Sequence, residues 1–170
     1  LLAPARSAAQ PLDDLNLASL LVSPLFGWSQ DDLFAIAHGR AGSLWDAVRT
    51  AAGSNARHPD TLEALHAILA MADYATPHSF FETLLSGMGG RFKLLERLGL
   101  EARDPIEELL ASALEFESSS GPSLQRFPDW FARGDVEIVR DPSAPLDAVR
   151  VMTVHGSKGL QSPIVILADA

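Results

Sequence analysis

The chain lacks cysteine entirely and has few cations for its length. Its 170 residues include no cysteine, 13 Lys and Arg residues and 22 Asp and Glu residues, so the formal net charge is −9. The absence of cysteine excludes disulfides, cysteine-ligated zinc and thiol nucleophiles, and it fits a reducing compartment, so we expect a cytoplasmic location. The acidic balance argues against strong nucleic-acid binding by the bulk of the chain, because DNA-binding domains usually carry a basic face.

A membrane segment and the usual start of a protein are also missing. No apolar run approaches the roughly 18 residues needed to span a bilayer, so we expect no membrane association. The first residues, LLAPARSAAQP, have neither an initiator methionine nor the basic-then-apolar pattern of a signal peptide. We therefore expect the chain to be a piece of a longer protein.

Helical periodicity dominates the first 134 residues. Capping residues stand before most of the apolar runs, and apolar residues then recur at spacings of three and four. The predicted caps are Asp13 or Asp14, Ser29, Ser43 and the Thr76-Pro77 pair. About seven or eight helices are predicted.

The pattern changes after Gly134. The segment VEIVR at 136–140 alternates as a strand does, and two β-rich apolar runs, 149–154 and 163–168, flank the polar loop HGSKGLQ at 155–161. We therefore predict strands in this part of the chain. The expected fold class is mainly α, with a short C-terminal β segment.

A glycine-lysine loop after a strand invites comparison with a phosphate-binding loop. The Walker A pattern is G-x-x-x-x-G-K-[ST], whereas the segment 156–159 lacks the leading glycine, the Gly-Lys order and the hydroxyl after lysine. The five histidines show no metal-ligand spacing and no G-x-S-x-G pattern is present, so we predict neither a metal site nor a catalytic residue. Spacing alone is also compatible with an ordinary surface hairpin loop.

The segment VMTVHGSKGL, at 151–160, resembles motif V of the UvrD/RecB-like superfamily 1 DNA helicases. Upstream, DDLNLASLLVSPLFGWSQDDLFAIAHGR is similar to the region where these helicases leave their second motor domain for an inserted 2B domain. Together with RGDVEIVRD and APLDAVRVMTVHGSKGL, these segments look most like AddA-type helicase-nuclease subunits of the bacterial AddAB double-strand-break repair enzymes.

The resemblance implies a division of the chain. Residues 1–23 would end a motor-domain connection, and 24–134 would form a helical, 2B-like accessory domain. Residues 135–170 would form a strand-loop-strand that carries motif V at the edge of a RecA-like motor domain.

The resemblance also implies roles for the loop residues. Thr153 and His155 would donate hydrogen bonds to the DNA backbone, and Lys158 would add positive charge. Gln161 stands where the family has a glutamate that contacts the nucleotide ribose, so the hydrogen-bonding capacity is kept but the charge is lost. The motif V loop is completed by Gly156, Ser157, Gly159 and Leu160.

For the full-length protein, the resemblance implies an ATP-dependent DNA helicase with 3'-5' translocation. It would use ATP and Mg²⁺, bind DNA and work with an AddB-type nuclease subunit. Phosphoryl transfer needs Walker A, Walker B and motif VI segments, which this sequence lacks, so we expect the chain alone to hold no cofactor and to be inactive. It would be a non-catalytic accessory segment.

Two expectations remain open at this point. The alternative function is a helical protein-protein interaction module with no nucleic-acid role. The apolar runs at 152–154 and 164–167 are also expected to pair either with VEIVR or between chains, the second case giving a strand-mediated dimer.

Overall fold

The computed structural model describes residues 1–51, 59–134 and 149–168. In these residues the chain forms helices and no strands, so the predicted mainly α class is confirmed. A π-helical turn, Thr83–Gly87, follows α6, and a 3₁₀ turn, Leu100–Ala102, precedes α8. The α-helices are α1 (Ala3–Ala9), α2 (Asp14–Leu21), α3 (Gln30–Ala37), α4 (Leu44–Ala51), α5 (Thr61–Met71), α6 (Pro77–Glu82), α7 (Gly90–Leu98), α8 (Arg103–Ser120) and α9 (Phe127–Arg133).

The chain divides into two compact units, Leu1–Ile138 and Val139–Ala170. All of the helices described above lie in the first, which we call the helical unit. Within it, α1 packs against α2 and α5, and α2 packs against α4. The domain boundaries expected after residues 23 and 134 stay predictions. Over the described ranges, no helix has both the length and the apolar character that crossing a membrane requires.

Side-chain caps determine where two of the early helices begin. Asp13 Oδ1 accepts hydrogen bonds from the backbone N–H groups of Leu15 and Asn16, both at 3.0 Å. Ser29 and Asp32 cap α3 reciprocally. The N–H of Asp32 donates to Ser29 Oγ at 3.1 Å, and the N–H of Ser29 donates to Asp32 Oδ2 at 3.0 Å. Such caps satisfy N–H groups that have no partner within the helix, so the helix starts predicted at these positions are confirmed.

Helix α1 has no counterpart among the predicted helices. Its sequence, APARSAA, lacks the long apolar side chains whose spacing reveals an amphipathic helix. Alanine is nevertheless the strongest helix former, and its small side chain lets helices approach closely. Ala5 and Ala8 are buried, so the first residues of the chain belong to the helical core.

Helix α6 runs directly into the π-helical turn. The N–H of Met88 donates to the carbonyl oxygen of Thr83 at 2.9 Å, five residues earlier, which is the π-helical pattern. This segment carries four buried side chains into the core, Phe80, Phe81, Leu84 and Leu85.

Gly90, the first residue of α7, sits in a corner where only a hydrogen atom fits. A Cβ atom at this position would lie 2.7 Å from the carbonyl oxygen of Leu84 and 3.0 Å from Cδ2 of Leu25. Lys93 Nζ also donates to the carbonyl oxygen of Leu25, at 2.9 Å. The start of α7 is therefore fixed against both the π-helical turn and the turn that follows α2.

An aromatic cluster joins α6, α8 and α9. The ring of Phe127 lies 5.6 Å from those of both Phe81 and Phe116, measured between centroids, and the Trp130 ring lies 5.2 Å from Phe116. The two phenylalanine pairs are edge-on, an arrangement that aromatic quadrupoles favour. Phe127 and Phe116 are almost completely buried, so this cluster is part of the main core.

The predicted C-terminal β segment is not seen in residues 149–168, which contain turns and irregular backbone but no strand. The segment VEIVR, predicted as a strand and as a possible partner, lies outside the described residues. A helix satisfies its backbone hydrogen bonds internally, whereas a strand needs a second strand to accept and donate them. A β-rich composition favours extended backbone but does not supply that partner.

Candidate nucleic-acid-binding loop

The loop that resembles motif V is a series of tight turns. The N–H of Ser157 donates to the carbonyl oxygen of Thr153 at 3.1 Å, and the N–H of Lys158 donates to that of His155 at 3.3 Å. A further turn is closed by Leu160, whose N–H donates to the carbonyl oxygen of Ser157 at 3.0 Å. Local hydrogen bonds therefore hold residues 153–160 in a compact conformation.

Thr153 organises the first of these turns with its side chain. Its hydroxyl oxygen accepts a hydrogen bond from the N–H of Gly156 at 3.1 Å. A Cβ on Gly156 would lie only 3.2 Å from the same oxygen, so the missing side chain permits the close approach. The Thr153 hydroxyl still has its own O–H to donate, because a hydroxyl can donate and accept together.

Ser157 and Gly159 complete the turn geometry. The Ser157 hydroxyl donates to the carbonyl oxygen of Val154 at 2.7 Å, so it supports the loop from within. Gly159 has φ +85°, in the left-handed region that a residue with a side chain rarely adopts. The serine and the glycine that the resemblance places at these positions therefore both stabilise the conformation of the loop.

The remaining polar side chains of the loop face solvent. His155, Lys158 and Gln161 are all exposed, whereas Leu160 is half-buried. The structure thus brings Thr153, His155 and Lys158 together on one short loop, with an O–H, an imidazole and an ammonium accessible. Such groups bind phosphate oxygens through hydrogen bonds and charge.

A second polar cluster lies in the helical unit and was not singled out from the sequence. The carboxylate of Asp14 accepts a hydrogen bond from the N–H of Leu44 at 2.7 Å and also pairs with the guanidinium of Arg40. The pKa of Asp14 lies below its ordinary value. The main cause is the hydrogen bond from the Leu44 N–H, and the hydrogen bond and positive charge of Arg40 act in the same direction. Arg40 also donates to the carbonyl oxygens of Ala37 and Gly42, so the cluster fixes the connection between α3 and α4.

This second cluster has a structural rather than a chemical character. Its groups satisfy one another, and its cation binds carbonyls of its own loop. Within the described ranges, no group of three or more His, Asp or Glu side chains is placed to hold a metal ion. The motif V loop therefore remains the best candidate for a functional site.

A helical unit followed by a tightly turned His-Gly-Ser-Lys-Gly loop is the combination implied by the resemblance to superfamily 1 DNA helicases. Comparison with known proteins confirms that resemblance, since the chain is similar over nearly its whole length to the A subunits of bacterial ATP-dependent helicase/nucleases. No family model matches the chain.

Three of these relatives show the extent of the similarity. The chain is 28% identical over 188 residues to the A subunit of the ATP-dependent helicase/nuclease from Streptococcus uberis, covering 96% of this chain and 15% of that protein. Identity to the corresponding protein of Streptococcus thermophilus is 30% over 181 residues, covering 95% and 15% of the two chains. Identity to the corresponding protein of Oceanobacillus iheyensis is 30% over 171 residues, covering 92% of this chain and 14% of that protein. The chain thus spans about 15% of the length of these relatives.

Proposed function

We propose that this chain is a non-catalytic accessory segment of an ATP-dependent DNA helicase-nuclease of the AddAB type. The observation that carries the proposal is the similarity to the A subunits of helicase/nucleases across 92–96% of the chain. The full-length protein would translocate 3'-5' on DNA during double-strand-break repair in the cytoplasm. An AddB-type nuclease subunit is its proposed partner.

Within that protein, the motif V loop would contact the DNA backbone. The exposed side chains of His155 and Lys158 and the O–H of Thr153 support this role, since each offers a donor or a positive charge to phosphate. Gln161 is exposed on the same loop, where its amide could hydrogen-bond a ribose hydroxyl of the nucleotide. The glycines and Ser157 would hold these groups in place.

The chain itself would not hydrolyse ATP. Phosphoryl transfer requires a phosphate-binding loop with its lysine, a carboxylate that holds magnesium and a charge-neutralising arginine, all positioned together. We propose that other segments of the full-length protein supply these groups, and that ATP and Mg²⁺ bind there. Mixing the purified chain with ATP, Mg²⁺ and single-stranded DNA should give no turnover above a heat-treated control, and turnover above it would refute this part of the proposal.

The DNA contact can be tested by titrating fluorescent forked DNA with the chain at 50 and 200 mM salt. Lys158→Gln should reduce the slope of log affinity against log salt by about 0.7, the value for one phosphate contact on a single strand. Arg49→Gln is the matched control, because Arg49 is an exposed cation of the helical unit that pairs with Asp46 at 3.0 Å. Equal slopes for both variants would refute the proposed loop contact, and a chain with no salt-sensitive DNA binding at all would favour the protein-interaction module.

A further inference from the structure

Helix α7 differs in charge from the other helices that the structure describes. It carries three cations and one carboxylate, for a net formal charge of +2, whereas none of the others exceeds +1 and α8 reaches −4. This difference stands out in a chain of net charge −9. A basic helix within an acidic molecule is a candidate surface for an anionic ligand.

Two of the three cations of α7 are presented to solvent on one line of the helix. Lys93 and Arg97 are four residues apart, so they lie one above the other on the helix surface, and both are exposed. The bond from Lys93 to Leu25 uses one of the three ammonium donors and fixes the position of the charge. The third cation, Arg91, forms an ion pair with Glu107 of α8 at 2.5 Å, so its charge is already neutralised within the helical unit.

An exposed aromatic ring also lies on the outer part of α7. Phe92 is 70% exposed, although its neighbour Leu94 is buried in the core. An exposed phenylalanine on the same helix as two exposed cations offers both a ring face on which a base can stack and charges for the backbone, which is the combination used to bind single-stranded nucleic acid. The opposing charge on this part of α7 is Glu96, which is also exposed.

We infer that the outer surface of α7, formed by Phe92, Lys93 and Arg97, binds single-stranded nucleic acid. Lys93 and Arg97 neutralise backbone phosphates, and Phe92 stacks on a base. The inference rests on the proposed function only in taking DNA as the substrate of the full-length protein. It adds a second contact surface, on a different unit of the chain from the motif V loop.

The test is fluorescence anisotropy of a labelled oligothymidylate and of a labelled duplex, titrated with the 170-residue chain at 50 and 200 mM salt. Lys93→Gln combined with Arg97→Gln should reduce the salt slope for the single strand by about 1.4, the value for two phosphate contacts. Phe92→Ala should lower affinity for the single strand about fivefold or more and leave affinity for the duplex unchanged. Glu96→Gln should strengthen binding to both, because it removes the opposing charge.

The controls separate loss of binding from loss of folding. Lys93→Arg keeps the charge and should keep the salt slope, and Arg49→Gln removes a surface cation from α4 and should change nothing. Far-UV circular dichroism and thermal unfolding verify that each variant is folded. If Lys158→Gln has no effect while the α7 variants do, the proposed role of the motif V loop fails and the α7 surface stands.

Two outcomes would overturn the inference. One is binding of the α7 double variant with the same affinity and salt slope as the Arg49→Gln control. The other is equal binding of the chain to poly-glutamate and to oligothymidylate, both abolished by the double variant, because α7 would then recognise an acidic protein surface.

Discussion

The helical unit buries isoleucine side chains that the segment 149–168 leaves exposed. Ile68 and Ile106, in α5 and α8, are 1% exposed, whereas Ile164 and Ile166 are 78% and 83% exposed. The difference comes from the backbone. A helix already satisfies its own hydrogen bonds and needs only an apolar surface to pack against, while a strand needs another strand before its side chains can form a sheet surface.

This comparison locates the stability of the chain. Burial of apolar surface is the dominant favourable term in folding, and the buried apolar residues of the described ranges all lie in the helical unit. Substitutions there should change the free energy of unfolding, and substitutions in 149–168 should change association or ligand binding instead.

The largest effect is expected from Phe127→Ala. Phe127 is fully buried and contacts rings from α6 and α8, so its removal leaves a cavity at the centre of the aromatic cluster. The free energy of unfolding should fall by about 3–5 kcal/mol in urea denaturation. Phe34→Ala is the matched control, because Phe34 is 62% exposed, and it should change stability by less than about 0.5 kcal/mol. Similar losses for both variants would contradict the position assigned to Phe127.

A smaller loss is expected from Gly90→Ala. The new methyl group would lie 2.7 Å from a carbonyl oxygen of the π-helical turn, so the start of α7 must move. The free energy of unfolding should fall by about 1–3 kcal/mol, the usual cost of overpacking. In Gly87→Ala the methyl group would meet Thr83 Cγ2 at an ordinary 3.5 Å, so this control should be neutral or slightly stabilising. A neutral Gly90→Ala variant would show that the backbone around Gly90 can shift to accept a methyl group.

The sequence predicted helices better than it predicted the contacts between them. Caps at Asp13 and Ser29 are local features, visible in a few neighbouring residues, and the structure confirms them. Helix α1 was missed because its burial depends on small residues that carry no amphipathic signal. The close contact at Gly90 depends on the π-helical turn and on Leu25, which is distant along the chain and which no sequence pattern connects to α7.

For the motif V loop, too, the sequence predicted only some of its properties. Its resemblance to motif V could be read from the sequence, because ten consecutive residues carry it, and the role of the loop stays a prediction. Its internal geometry could not, because the hydrogen bond from Gly156 to Thr153 also requires backbone angles that the residue types alone do not specify. The strands on either side were predicted from composition, but pairing is a property of two segments and composition describes only one.

Asp14 should make a modest, pH-dependent contribution to the helical unit. Its folded pKa lies below the ordinary value of 3.8, so its contribution is fully present above about pH 4 and is lost as the pH falls through the folded pKa. Asp14→Asn should lower the free energy of unfolding by about 0.5–1 kcal/mol at pH 7, as expected for a partly exposed ion pair with one backbone hydrogen bond. Denaturation curves of both proteins between pH 7 and pH 2 should converge at the acid end. A difference that stays constant with pH would rule out the carboxylate as its source.

The smallest effect on stability, and a clear effect on association, is expected from Ile166→Pro. Ile166 is 83% exposed, so its replacement should change the free energy of unfolding by less than about 0.5 kcal/mol. Proline cannot donate a ladder hydrogen bond, however, so the variant should lower the dimer fraction measured by light scattering if the run at 164–167 pairs between chains. Leu15→Lys alters a similarly exposed apolar residue of α2, 77% exposed, and should leave that fraction unchanged. A wild-type chain that stays monomeric at every concentration would contradict strand-mediated dimerisation, and the exposed run would then need a partner other than its own copy.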